Sequence, residues 1–165
     1  MNRFFTISIV VLMFGFVSES YAQIDKLKSA FIYNFAKNTN WPASYKSGNF
    51  VIAVLGKTGV TTELKKIAAT RKIGPQKMVV VEYSSASQIQ KCHIIFIAKG
   101  SSGELSSVLN KIGNTLVVTD KKGLTNSGAG KDFILQGSKL RFKMNKANIT
   151  SRKLVISTAI ERMAI

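Results

Sequence analysis

Phe50-Val51-Ile52-Ala53-Val54-Leu55-Gly56 is the stretch from which the rest of the chain can be read. Six apolar residues in a row, three of them β-branched, are too few for a helix and too uniformly apolar for a strand with one wet face. They predict a strand buried on both sides and ended by a glycine. Downstream, Val60 to Thr70 has helical spacing, Lys77 to Tyr83 reads as a second strand, the stretch near Ser87 is briefly helical, and His93 to Ala98 is a third strand. Glu104 to Ile112 is the next helix and Thr115 to Thr119 the fourth strand. Three successive strand-to-strand crossovers predict an α/β fold: a single-domain, three-layer Rossmann-like sandwich with a mostly parallel central sheet and helices on both faces.

The end of the chain has a different rhythm. Lys131 to Gln136 and Ser138 to Asn145 alternate apolar with polar around Gly137, which predicts an antiparallel β-hairpin at one edge of the sheet, followed by short helices near Ala147 and Thr158. Upstream, Asp25 to about Asn38 reads as a helix with Leu27, Phe31 and Phe35 stacked along one side. Ile32, Tyr33 and Ala36 lie off that stripe, so this helix is expected to pack on more than one side.

Composition and the first residues bound the function. With 165 residues, 45% hydrophobic, one Cys and two Pro, the chain is one compact domain, and disordered, collagenous and disulfide-stapled classes are excluded. Residues 1–22 read as a signal peptide. Arg3 gives a positive start, Phe4 to Val17 an apolar run too short for a span, and Ser20-Tyr21-Ala22 the small residues at a cleavage site after Ala22. The mature α/β domain is then 23–165, exported and periplasmic. Cleavage removes one basic and one acidic residue from 24 and 8, so the net charge stays 23 minus 7, or +16. Outside the cytosol nucleic acid is a poor partner. The cations fit an acidic protein surface, a weak attraction to an anionic membrane surface, or a solvated face.

Catalytic motifs fail one by one. Gly56-Lys57-Thr58 follows a strand as a phosphate loop would, but the first glycine of that motif falls at Val51. Gly123 to Ala129 has the glycine spacing and places Ala129 where lysine must sit, so it reads as a turn capped locally by Asp120 and Asn126. Cys92 and His93 are adjacent on a strand and point to opposite faces, so they cannot pair as nucleophile and base. The seven acidic residues left after cleavage show no metal-ligand spacing, and neither metal nor cofactor is expected. Gly56 and Asp120 end predicted central strands, where open α/β sheets hold ligands, and they are the candidates for a small-molecule pocket. Lys139, Arg141 and Lys143 should form a basic stripe on the outer face of the hairpin. That stripe is either a docking site for an acidic partner or protection of an edge strand. Trp41 is either an interface anchor or a lid on the core, and Tyr33, on the off-core side of the first helix, is a further partner-binding candidate.

Five segments in order, Ala30 to Lys37, Trp41-Pro42, Phe50 to Gly56, Cys92 to Ile97, and Leu116 to Asp120 with the glycines 123 to 130 and Lys139 to Phe142, resemble the YfiR-like family of small periplasmic proteins. The resemblance spans nearly all of the mature chain. It implies a non-catalytic regulator: the family's namesake binds the sensor part of a membrane diguanylate cyclase and restrains it, lowering cyclic di-GMP, and members tend to form homodimers. The expected function is therefore binding to the extracytoplasmic sensor region of an inner-membrane signalling protein of the cyclase or sensor-kinase type. A periplasmic small-ligand carrier or sensor is the alternative. The paired cysteines of the namesake are absent, because Cys92 stands alone, so no disulfide can switch within one monomer.

Overall fold

The computed structural model describes residues 21–165. Most of the stretch read as a signal peptide, residues 1–20, lies outside the described residues. Residues 21–37 form helix α1. It is followed by the short strand β1 (Thr39–Asn40), the decisive strand β2 (Phe50–Leu55), helix α2 (Val60–Thr70), and strands β3 (Lys72–Ile73) and β4 (Gln76–Tyr83). Next come β5 (Ile94–Ile97), α3 (Leu105–Lys111) and β6 (Leu116–Thr119). The hairpin β7 (Lys131–Gln136) and β8 (Lys139–Met144), helix α4 (Lys146–Thr150), strand β9 (Val155–Ile156) and helix α5 (Thr158–Glu161) complete the order.

Seven strands form one sheet in the order β3-β4-β2-β5-β6-β7-β8. β2 lies between β4 and β5 with Phe50 beside Met78 and Ile52 beside Ile94, both pairings parallel. The β5–β6 and β6–β7 pairings are parallel as well. β7 and β8 pair antiparallel at one border, where the alternation of the sequence puts the hairpin. At the other border β3 pairs antiparallel with β4, which the sequence does not announce. The fold is therefore α/β with a mixed seven-stranded sheet. Beside it, β1 and β9 form a two-stranded antiparallel patch that joins the end of α1 to the C-terminal region. Residues in so short a pair carry no periodicity, and their contact spans most of the chain.

Period-two alternation along β2 and β5 separates two apolar clusters. Ile52, Val54, Ile94 and Phe96 face one way, with Ile32, Phe35 and Ala36 of α1 and Val60 and Leu64 of α2. Ala53, Leu55, Ile95 and Ile97 face the other, with Leu105 and Val108 of α3. Helices thus cover both sides of the central strands, which explains why β2 and β5 need no polar face.

The buried face of α1 differs from the expected stripe. Ile32, Phe35 and Ala36 are fully buried, Phe31 is half-buried, and Leu27 is 41% exposed. Ile32 and Ala36 are therefore at the centre of the contact rather than off it. A helix advances 100° per residue, so a stack chosen at i, i+4 and i+8 drifts around the axis, and packing selects the line through residues 28, 32, 35 and 36. Phe35 meets Phe142 edge-on at 4.9 Å between ring centroids, and Phe31 meets the same ring at 5.6 Å. Pairs of this geometry add about 0.5–1.5 kcal/mol beyond area burial. They fix α1 across β7 and β8.

Candidate functional site

The carboxyl ends of β5 and β6, the N-terminal turns of α1 and the β7–β8 hairpin surround a groove of about 1030 Å³. Asp120, the residue after β6, is on its wall, as its position at a strand end predicts. The side chain is paired. Lys28, 7% exposed on α1, places its Nζ 2.8 Å from Asp120 Oδ1 and 2.9 Å from Oδ2, and Asp25 Oδ1 is 3.7 Å away. Burial pushes the Asp25 carboxyl above its ordinary value, Lys28 opposes the shift, and the negative charges of Asp120 and Glu63 add to it. A lysine on the buried side of an apolar helix is legible only once this ion pair is seen.

Gly56 does not line the groove. It adopts φ +89°, in the left-handed region that glycine tolerates, and Ser101, from the 3₁₀ segment after β5, fills the space where a side chain would go. The crevice expected between Gly56 and Asp120 is thus closed at the Gly56 end. The open volume lies further along the sheet, over β6, β7 and β8.

The loop at 123–130 is a turn, as its glycines predict: Gly123 and Gly128 take φ +95° and +108° on either side of a 3₁₀ segment at Leu124–Ser127. Its cap is neither of the two residues expected, Asp120 and Asn126. Asp132, fully buried at the start of β7, accepts hydrogen bonds from the Gly123 amide at 2.8 Å, the Thr125 amide at 3.0 Å and the Thr125 hydroxyl at 3.0 Å. It also accepts one from the Thr119 hydroxyl at 2.8 Å. Asp120 is occupied by Lys28 instead.

Both members of the Cys92–His93 pair are held in the core. His93 accepts from the Val51 amide at Nδ1 (3.1 Å), and its Nε2 lies 2.7 Å from the Tyr45 carbonyl, so the neutral Nε2–H tautomer satisfies both contacts. Phe50 stacks on the imidazole at 4.2 Å, and Trp41 and Tyr45 close it edge-on. Burial lowers the His93 pKa. The Cys92 thiol is pushed up to about 12 by burial, against a small opposing contribution from Thr115. A thiol so shielded is a poor nucleophile. Native protein should therefore resist labelling by a water-soluble disulfide reagent over hours and react fully after addition of urea. Rapid labelling in native buffer would contradict the buried placement.

Trp41 is 5% exposed and meets Phe50 edge-on at 5.1 Å, which makes it the core lid of its two readings; the indole offers no free surface to a partner in this arrangement. Tyr33 is half-buried against the main cluster rather than wholly off the core, with the Lys37 ammonium 5.7 Å from its ring. Lys139, Arg141 and Lys143 are exposed, while Leu140 and Phe142 between them are buried on the side of α1. The basic stripe is thus present on border strand β8 and faces away from the side on which Tyr33 and Trp41 pack. These five residues do not form one continuous surface.

Among the described residues no group of three or more His, Cys, Asp and Glu side chains is placed to hold a metal ion, and no helix is long and apolar enough to cross a membrane. An α/β domain with a mixed sheet, a closed switch-point crevice and a lysine-lined groove is the class of protein the geometry defines. Residues 25–164 match the family described as YfiR/HmsC-like, and the chain belongs to that family. A search of curated proteins finds no match to the chain.

Proposed function

We propose that this protein is a periplasmic, non-catalytic regulator that binds the extracytoplasmic sensor region of an inner-membrane signalling protein, of the diguanylate cyclase or sensor-kinase type, and restrains it. Membership of the YfiR/HmsC-like family over residues 25–164 carries this reading. The chemistry of the core agrees with it. The sole histidine and the sole cysteine are spent on backbone contacts and packing, and the carboxylate at the end of β6 is neutralised by Lys28. The surface with the charge to meet an acidic partner is the outer face of β8, where alternate residues about 7 Å apart place Lys139, Arg141 and Lys143 in a row.

Charge reversal on that face separates docking from mere edge protection. Arg141→Glu with Lys143→Glu should leave the urea midpoint close to wild type, because both side chains are exposed. Recovery of a membrane receptor in pull-downs from solubilised envelopes should fall by about tenfold or more, with the wild-type interaction weakening as salt is raised. Undiminished recovery by the double variant would remove β8 from the interface. The absence of any membrane protein from wild-type pull-downs, across a range of salt, would count against the regulatory role itself.

A further inference from the structure

We propose that the groove at the carboxyl ends of β5 and β6 is a binding site for a medium-chain fatty acid, with the acyl chain along the apolar wall and the carboxylate on the lysines. Three observations carry the inference.

Exposed apolar side chains stand on this groove. Within the mature chain, after cleavage at Ala22, the large apolar residues Leu27 and Leu135 line it, 41% and 56% exposed. Contiguous exposed apolar surface of this kind marks a binding site more often than scattered single residues do. Phe133 and Leu140 continue the same wall beneath.

The charge is placed at one end. Lys99 follows β5 and Lys121 and Lys122 follow β6, whereas the apolar residues belong to α1, β7 and β8. None of these three lysines takes part in an ion pair among the described residues, while Lys28 is already matched by Asp120 and Asp25. Four lysines against two aspartates leave the groove at +2. The strand order puts the end of β5 three steps and the end of β6 two steps from β8, roughly 14 and 10 Å at about 4.8 Å per step, so the lysines stand to one side of the apolar wall on β7 and β8.

The walls offer side chains and little else. The α1 backbone is engaged in its own helix, and β7 and β8 pair antiparallel, with Phe133 opposite Phe142 and Leu135 opposite Leu140. An acyl chain needs no main-chain partners, so walls made of side chains suffice to hold it. A volume of about 1030 Å³ accommodates such a ligand.

This inference is independent of the regulatory role, since purified protein alone tests it. Laurate, titrated calorimetrically below its micelle concentration, should bind saturably at one equivalent. Lys121→Glu with Lys122→Glu should weaken it by about tenfold or more through the head, and Leu135→Gln should weaken it through the tail. All three positions are exposed, so the variants should keep wild-type circular dichroism and urea midpoints. Dodecanol should bind more weakly than laurate, and acetate should not bind. The proposal is overturned by an absence of saturable laurate binding, by laurate affinity unchanged in either variant, by dodecanol matching laurate, or by an acidic twelve-residue peptide binding more tightly than laurate.

Discussion

Asp132→Ala is expected to lower the unfolding free energy by about 3–5 kcal/mol, the range for removing one partner of a buried, multiply bonded charge. The carboxylate is fully buried, and four donors converge on it, from Thr119, Gly123 and twice from Thr125. Truncation leaves the Gly123 and Thr125 amides and the Thr125 hydroxyl without this acceptor, while the Thr119 hydroxyl keeps the Lys121 carbonyl at 3.1 Å. It also releases the turn between Gly123 and Gly128 from β7. Urea unfolding followed by far-ultraviolet circular dichroism measures the effect, with the slope unchanged if only stability is altered. Asp132→Asn should lose less, because one amide oxygen still accepts while the amide N–H₂ faces other donors. A loss below about 1 kcal/mol for the alanine variant would show that the turn holds itself.

The second large effect has the opposite sign. Lys131→Met should stabilise the protein at mildly acidic pH. Lys131 is fully buried, its Nζ lies 3.1 Å from Met144 Sδ, and the Phe35 and Phe142 rings are 4.5 and 4.7 Å from it. Cation–π contact returns only part of the hydration lost. Burial lowers the pKa to about 7, with Glu161, itself 2.8 Å from Lys146, pulling the other way. A lysine with a depressed folded-state pKa binds fewer protons when native than when unfolded. Stability should therefore rise with pH between about 7 and the unfolded value near 10.5, by up to about 1.4 kcal/mol per unit, and level off outside that window.

Methionine fills a similar volume and adds no charge. The variant should exceed wild type by about 2–4 kcal/mol at pH 6 and converge on it near pH 10. Curves that stay parallel across that range would show that the ammonium is not desolvated in the native state. His93, also lowered by burial, adds to acid sensitivity in the same direction at lower pH.

These two neighbours show where sequence reading stops. Lys131 and Asp132 look like the polar members of an alternating hairpin strand, yet both are buried. Alternation identifies the two faces of a strand but not what covers each. Here α1 covers one and the turn at 123–130 folds over the other. The central strands were legible because β2 and β5 are apolar on both sides, a pattern that admits few other structures at that length. The helix face of α1 was misplaced by one residue because Leu27, apolar like Phe31, faces the open groove instead of the core. β1, β3 and β9 are two-residue strands with no internal period.

Of the candidate site, Asp120 was legible as a strand-end carboxylate. Its partner Lys28 was not, since a lysine on a helix reads as solvated until the carboxylate opposite is known. Lys99, Lys121 and Lys122 carry no motif. Only the topology, which brings the ends of β5 and β6 beside each other, collects them.

The two borders of the sheet carry the same sign. Lys72 sits across from Lys77 where β3 meets β4, and the far margin bears Lys139, Arg141 and Lys143. Two copies approaching rim to rim would set cation against cation whichever rims met, which disfavours extension of the sheet from one molecule into the next. A self-associated form of this protein is thereby steered towards contacts through its helices or the groove, and concentrated salt, by screening the rims, would be the condition that relaxes the restriction.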